Sequence, residues 1–116
     1  MYDDKTIRIT DKELVIRGYY FPFGAARTIP LESLQRVELK RLTLLGGAYR
    51  LWGMGALPVW FHWDKNRFRK KFYIELDLGN WLKIGITPDD LQAVLAELRR
   101  RLPGSRLKLD QAPVAL

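Results

Sequence analysis

The sequence predicts a mainly β domain that closes with one helix near the C-terminus. Short runs of alternating apolar and polar residues, separated by turn residues, fill the chain as far as about residue 86, and a period of two is typical of half-buried strands. Residues 88–102 are the one stretch with apolar residues at helical spacing. We therefore expect a small β structure whose open side is covered by an amphipathic helix.

The composition is that of a single globular domain. Of the 116 residues, 47% are hydrophobic and 28% are charged, which allows one compact core and is far from the composition of a disordered segment. The chain has no cysteine, which excludes disulfides, thiolate catalysis and the usual zinc-finger ligands. Residues 1–5 lack the basic start and apolar run of a secretory signal. These features predict a cytoplasmic protein.

Seven strands are predicted. The first two form a hairpin around the polar turn at residues 10–12, and Gly79 and Asn80 mark a second hairpin between two apolar strands. A single helical turn is expected at residues 30–34. The predicted strands lie at residues 7–9, 14–16, 26–29, 37–39, 60–63, 72–78 and 81–86.

The predicted helix begins at about Pro88 and ends at Leu102. Thr87 is its expected N-cap, Asp89 and Asp90 complement the positive end of the helix dipole, and Pro103 follows the last turn. Its apolar residues lie on one continuous face: Leu91, Val94, Leu95, Leu98 and Leu102. Burying that face is worth roughly 8 to 15 kcal/mol before opposing terms. We expect a domain of residues 1–104 and a C-terminal tail of residues 105–116.

Seven short strands followed by one helix resemble the bacterial pleckstrin-homology-like (PH-like) domains. The motifs that carry the resemblance lie at residues 29–39, 49–55, 60–61 and 84–90. The resemblance implies a seven-stranded β-sandwich or open barrel of two roughly orthogonal antiparallel sheets, capped by the amphipathic helix. For the bacterial members it implies an interaction or self-assembly module.

One loop departs from the pattern of the lipid-binding eukaryotic relatives. Those proteins hold phosphoinositide head groups with basic residues in and around the first hairpin loop. The corresponding loop here is residues 10–13, in which Lys12 is the only basic residue and lies between two acids. We therefore do not expect inositol-phosphate recognition at this loop.

Residues 60–72 combine aromatic side chains with five basic ones. Such a mixture suits the headgroup layer of a membrane, with Trp63 and Phe68 as inserted aromatics, and it also suits single-stranded nucleic acid. The structural alternative is that Trp60 and Phe72 are core residues and that residues 65–71 form a solvated hairpin. The candidate anion-binding residues are Lys65, Arg67, Arg69, Lys70 and Lys71.

Residues 42–61 carry one formal charge, that of Arg50. A membrane span is not expected, because four glycines, Pro58 and this arginine interrupt the stretch. An exposed apolar loop would mediate association, with Arg50, Trp52 and Met54 as partner-binding residues alongside Trp63 and Phe68. Equally, the stretch would fold over the barrel and be buried.

No residue pattern indicates catalysis, a metal or a cofactor. His62 is the only histidine, and a lone histidine without spaced carboxylates is a poor metal site. Ser33 and Ser105, the only two serines, do not lie in a nucleophile-elbow context. Neighbouring aspartates are explained by the N-terminus and the helix start.

The sequence therefore predicts a non-enzymatic interaction module that associates with itself or with another protein. The net charge of +7 makes anionic partners the alternatives. The first alternative is peripheral attachment to an acidic membrane surface through the aromatic and basic residues of 60–72. Nucleic-acid binding is the third hypothesis. No small-molecule substrate is indicated.

Overall fold

A computed structural model describes residues 2–20, 24–41, 53–54, 59–62, 64, 67 and 70–108; for residues 41, 53, 54 and 108 it describes the backbone alone. The described strands are β1 (Tyr2–Asp3), β2 (Ile7–Ile9), β3 (Glu13–Tyr20), β4 (Ala25–Pro30), β5 (Arg36–Arg41), β6 (Gly53–Met54), β7 (Val59–Phe61), β8 (Phe72–Asp77), β9 (Lys83–Ile86) and β10 (Leu107–Lys108). The helix α1 is Leu91–Arg101, and short 3-10 turns lie at Leu31–Ser33 and Gly104–Arg106.

The first sheet is antiparallel, with strand order β1-β2-β3-β4. Its register follows the alternation of the sequence, since Ile7 lies opposite Ile16 and Ile9 opposite Leu14, and all four side chains are buried. The pairing of β3 with β4 shifts between Ile16 and Tyr20. Gly18, inside this irregularity, has a positive φ of 66°, a conformation that side chains with a Cβ rarely adopt.

The second sheet has the order β10-β5-β8-β9-β7-β6. β5, β8 and β9 form an antiparallel centre, whereas β7 pairs with β9 in parallel and β10 pairs with β5 in parallel. The expectation of two purely antiparallel sheets is therefore wrong for this sheet. Neither sheet closes into a barrel within the described residues.

The hairpin of β8 and β9 turns at Gly79, as predicted. Gly79 has a φ of 93°, and a Cβ at this position would collide with the side-chain amide of Gln35. The carboxylate of Asp77 accepts a hydrogen bond of 2.7 Å from the Gly79 amide, and the Asp77 carbonyl accepts one of 2.8 Å from the Gln35 amide. The turn is thus fixed by its own hydrogen bonds and by its contact with the chain ahead of β5.

The helix covers the main core, as predicted, but it begins three residues later than expected. Asp90 and not Thr87 is the N-cap, because the Asp90 carboxylate accepts a hydrogen bond of 3.1 Å from the amide of Ala93. Four members of the predicted apolar face are buried, and Leu91 is half-buried. The main core joins this face to the inner sides of both sheets.

A second, smaller apolar cluster consists of Val59, Phe61 and Tyr73. The rings of Phe61 and Tyr73 meet edge to face with centroids 5.1 Å apart. This cluster lies where β7 and β8 flank β9. A group of buried polar side chains begins directly beyond it.

Candidate functional site

Five polar residues that are distant in sequence converge beyond the ends of β7 and β9: His62, Asp64, Arg67, Lys70 and Thr87, here called the Thr87 cluster. Four of them are almost fully buried, and Lys70 is partly exposed. The parallel register of β7 and β9 places Phe61 beside Gly85, so both strands end at the same side of the sheet. His62 and Thr87 therefore follow the last paired residues and lie next to each other.

Thr87 is the centre of the cluster. Its amide donates a hydrogen bond of 3.0 Å to Nε2 of His62, and its hydroxyl donates one of 2.6 Å to the Asp64 carboxylate. Because Nε2 accepts from a backbone amide, the proton of a neutral imidazole lies on Nδ1. The geometry thus makes Nε2 of His62 an acceptor and gives the Thr87 hydroxyl a partner other than the helix.

Arg67 is the largest fully buried side chain described. Its guanidinium carbon lies 4.7 Å from the centroid of the Phe61 ring, within the range of a cation–π contact. Its Nε donates to the Thr87 hydroxyl at 3.4 Å, and one terminal nitrogen donates to the carbonyl of His62. Burial lowers the pKa of Arg67 to about 10, against the opposing charge of Asp64, so the group stays protonated at neutral pH.

Lys70 connects the cluster to the start of the helix. Its ammonium nitrogen lies 2.7 Å from the Asp64 carboxylate and 2.6 Å from the Thr87 carbonyl. A longer contact of 3.4 Å reaches the carboxylate of Asp89, whose amide donates to Asp4 at 3.3 Å. These contacts join the segment after β7, the end of β9, the helix start and the N-terminal strand.

The Thr87 cluster links separate parts of the chain through buried hydrogen bonds and ion pairs. Every buried side-chain nitrogen or oxygen in the part of the chain described here has a hydrogen-bond partner, which is the condition under which buried polar groups do not destabilise a fold. His62 and Thr87 have no exposed surface, so a solute cannot reach them in this structure. The arrangement holds loop and strand ends together.

Of the predicted anion-binding residues, three fall within the described part of the chain. Arg67 is buried, which corrects the expectation that residues 65–71 form a fully solvated hairpin. Lys70 is paired with Asp64, and Lys71 is exposed. Lys65 and Arg69 lie outside the described residues. The binding role of these five residues stays a prediction.

The predicted partner-binding residues fall almost entirely outside the described part of the chain. Arg50, Trp52, Trp63 and Phe68 lie outside it, and Met54 is described by its backbone alone, in strand β6. Val59 and Phe61 at the end of the stretch 42–61 are buried in β7, and the alternatives of an exposed loop or a buried cover stay open for the rest of it. Among the predicted core aromatics, Trp60 packs against the main core and donates from its indole nitrogen to the Tyr19 carbonyl at 3.0 Å.

Two large aromatic side chains stand out as exposed among the described residues, Trp81 at 70% and Tyr20 at 48%. Trp81 lies at the tip of the β8–β9 hairpin, whose turn is fixed as described above. Tyr20 lies at the end of β3, opposite Ala25 of β4. Neither was singled out from the sequence, because a tryptophan and a tyrosine next to strand residues are equally typical of core positions.

Charged side chains on the outer face of the second sheet form alternating ion pairs. Arg36 lies 2.5 Å from Glu38, and Lys40 lies 2.5 Å from Glu75. Lys83 lies 3.4 Å from Asp77 on the neighbouring strands. Each pair of this kind contributes little to stability. Together they leave this face with balanced charge, in contrast to the net charge of the whole chain.

A broad groove of about 1070 Å³ lies between the β2–β3 turn, the turn after β4 and the C-terminal end of α1. Arg101 at its wall is bound to Asp11 at 2.7 Å and to Glu97 at 2.9 Å. Three acidic and three basic residues line the groove: Asp11, Glu13, Glu32, Lys12, Arg101 and Arg106. This balance does not favour a ligand of either sign.

β4 forms one edge of the first sheet, and within the described residues it pairs with β3 alone. The amide of Leu31 donates to the carbonyl of Lys12 at 2.8 Å. Because main-chain groups alternate in direction along a strand, the odd-numbered residues of β4 face β3. The amides and carbonyls of Ala26 and Thr28 therefore point away from the sheet.

No family model matches this chain, and no curated protein or solved structure matches it either. No helix in the described part of the chain is long and apolar enough to cross a lipid bilayer.

Proposed function

We propose that this chain is a non-enzymatic interaction module that associates with copies of itself. The observation that carries the proposal is the exposure of Trp81 on a hairpin tip held rigid by Asp77 and Gln35. Tryptophan is enriched at the centres of protein interfaces, because it offers a large contact area and loses little conformational freedom. A rigid turn further reduces the conformational freedom that is lost on binding.

The location of the polar chemistry supports the same proposal. His62 and Asp64, two residues whose types could serve acid–base work, are buried, and both are hydrogen-bonded to Thr87. Among other exposed groups, the described surface includes an aromatic hairpin tip and a strand edge that pairs with no further described strand. Both features suit the binding of a protein surface.

The state of four basic side chains in the described part of the chain favours a protein partner over an acidic membrane or a nucleic acid. Lys40, Lys70 and Lys83 each lie within 4 Å of a carboxylate, and Arg67 is buried. A polyanion would have to replace these carboxylates before it gained the charge of the lysines. These four side chains therefore add little to the binding of an anionic partner.

We also propose that the fold is a variant of the PH-like framework. Two sheets, a hairpin-rich first half and one helix at the C-terminal end support this proposal. The parallel pairs of β7 with β9 and of β5 with β10 are the features by which this chain departs from that framework.

The experiment that tests self-association is the solution mass by size-exclusion chromatography with multi-angle light scattering, at low and at high salt. We expect a multiple of the 13.6 kDa chain that persists or increases in high salt, because like-charged copies repel each other less when screened. A monomer across the concentrations tested would overturn the proposal. Co-sedimentation of that monomer with anionic vesicles would favour the membrane alternative instead.

A further inference from the structure

We propose that the β4 edge is the surface through which two copies associate, by antiparallel pairing of β4 with the β4 strand of a second copy. The inference deepens the proposed function and rests on it, and it selects the β4 edge over the Trp81 hairpin tip as the place where two copies meet. Two four-stranded first sheets would then join into one continuous sheet across a two-fold axis. The contacts would be main-chain hydrogen bonds, as in strand addition to an open sheet edge.

Within the described residues, the β4 edge is long and pairs with no strand other than β3. β4 has six residues, and Ala25, Ala26, Thr28 and Pro30 are exposed. The amides of Ala26 and Thr28 point outward, as the hydrogen bond of Leu31 to Lys12 requires. Pro30 fits the same alternation, because a residue without an amide hydrogen is tolerated where that group would face solvent.

The opposite edge of the same sheet, formed by β1, differs from the β4 edge. β1 has only two residues, and Asp3 and Asp4 place carboxylates there, with Asp3 in a 2.7 Å ion pair with Arg17. Short length and charge are the usual means by which sheet edges avoid further pairing. β4 is longer, and its exposed residues Ala25, Ala26 and Thr28 are uncharged. An added strand is therefore expected at β4, and addition stops there because β1 closes the other side.

The strand proposed to pair with the β4 edge belongs to a second copy of the chain. Copies that each carry a net charge of +7 repel one another, so a surface for self-association must lack unengaged cations. The exposed side chains of β4 are uncharged. Its one cation, Arg27, donates to the Tyr19 hydroxyl at 3.0 Å and stacks over that ring at 5.2 Å.

The strand geometry also favours a symmetric pair. Antiparallel pairing of β4 with itself uses the same patch on both copies and closes as a dimer. A two-fold axis beside Thr28 places it opposite the partner subunit's Thr28, and threonine pairs across strands are favourable. That register places Ala26 opposite the partner subunit's Pro30, whose carbonyl can accept its amide. It also keeps the two Arg27 side chains from lying directly opposite each other.

Hydrogen exchange of individual amides tests the edge directly. In a concentration series, the amides of Ala26 and Thr28 should become protected as the dimer forms. The amides of Arg27 and Ile29, which already face β3, should change little and serve as internal controls. Association of the protein without added protection at Ala26 and Thr28 would overturn the assignment of the edge.

A charge placed at the expected axis gives an independent test. Thr28→Lys puts two ammonium groups side by side in the dimer and should raise its dissociation constant about tenfold or more. Gln92→Lys adds the same charge at an exposed position of α1 and is the matched control. Thr28→Val keeps the main chain and the β-branched shape, so it should retain the dimer.

The outcomes separate this inference from the proposed function. If the wild-type chain is a monomer, self-association itself fails. If the wild-type chain associates, but Thr28→Lys and Gln92→Lys weaken it equally, the edge assignment fails while self-association stands. If Trp81→Ala dissociates the oligomer and Thr28→Lys does not, the interface lies at the hairpin tip and the edge assignment is overturned.

Discussion

The Thr87 cluster and the β4 edge are both regions of polar groups, but the two differ in how those groups are satisfied. In the cluster, buried side chains from distant parts of the sequence bind one another. At the edge, the main-chain groups of Ala26 and Thr28 point away from β3, which is the only strand that pairs with β4 among the described residues. The difference teaches that chemically versatile residues can bind one another inside a fold, while we propose that plain alanine and threonine mark the place where a partner binds.

The two regions therefore respond to different measurements. Changes in the cluster should alter the free energy of unfolding, because a buried polar group that loses its partner is costly. Changes at the β4 edge should alter the state of association with little effect on stability, because surface substitutions usually cost less than about 0.5 kcal/mol. The predictions below test this contrast from the largest expected effect to the smallest.

Arg67→Ala should destabilise the protein most. It removes the cation that stacks on Phe61, leaves Asp64 with one fewer positive neighbour, and opens a cavity in place of the largest fully buried side chain. We expect a loss of about 3 to 5 kcal/mol, measured by urea unfolding. Arg67→Lys is the control. It keeps the charge but lacks the planar group, so its free energy of unfolding should lie between those of the wild-type chain and Arg67→Ala.

A loss below about 1 kcal/mol in Arg67→Ala would contradict the account, because surface arginines behave in that way. It would mean that the guanidinium is solvated. The alternative given above for residues 65–71, a solvated hairpin, would then hold for Arg67.

Thr87→Val should cost about 1 to 3 kcal/mol. The substitution keeps the shape but removes the hydroxyl, which leaves the Asp64 carboxylate without its 2.6 Å donor. Thr87→Ser retains the hydroxyl and should lose much less stability. A larger loss in Thr87→Ser than in Thr87→Val would show that the packing of the methyl group contributes more than the hydrogen bond.

Gly85→Ala should cost about 1 to 3 kcal/mol by overpacking. A Cβ at this position would overlap the ring of Phe61, on which Arg67 is stacked. In a double-mutant cycle with Phe61→Leu, the smaller side chain should relieve part of the clash, so that the two losses are not additive. Strict additivity would indicate that Gly85 and Phe61 are not in contact.

Acid should weaken a third region, the end of α1, to a smaller extent. Hydrogen bonds from Arg101 lower the pKa of both Asp11 and Glu97 in the folded protein. A lowered folded pKa stabilises the fold above the unfolded pKa, about 4, and this stabilisation is lost as the pH falls through the folded pKa. Stability should therefore decrease as the pH is lowered from about 5 to 3.

The variant Arg101→Gln tests that origin of the acid sensitivity. It should be less stable near neutral pH and should lose less stability on acidification than the wild-type chain, as measured by thermal unfolding at each pH. Parallel pH profiles for the two proteins would assign the acid sensitivity to other carboxylates. Asp4 is the next candidate, since its pKa is also lowered by hydrogen bonds that outweigh its burial.

Local patterns predicted the strands and the helix because those elements depend on neighbouring residues. Ile7 and Ile9 alternate with polar residues and form β2, and Val37 lies in β5 as expected. The apolar spacing from Leu91 to Leu102 produced the helix. Even the single turn after Pro30 is present, as the 3-10 turn Leu31–Ser33.

The Thr87 cluster could not be predicted in the same way. Thr87 has the right type and position for a helix cap, and local reasoning therefore assigned it there. Its actual role depends on the parallel pairing of β7 with β9, which brings His62 beside it from 25 residues away. Arg67 was interpreted as solvated because it lies among basic residues, whereas its burial depends on that same long-range pairing.

The position of β4 at a sheet edge could not be predicted from the sequence either. The sequence predicts a strand at residues 26–29. Its position at the edge of a sheet depends on strand order, which local sequence patterns do not determine. Trp81 illustrates the same limit, because its exposure follows from the geometry of the turn at Gly79 and not from its neighbours in the sequence.

Oxidative cross-linking tests the central claim, that β4 is where two copies meet, most directly. The natural chain has no cysteine, so Thr28→Cys introduces a single thiol beside the expected two-fold axis, where two copies can approach disulfide distance. The account predicts a covalent dimer that forms much faster than with the exposed control Gln92→Cys. Equal rates for the two variants, or a preference for the helix position, would contradict it.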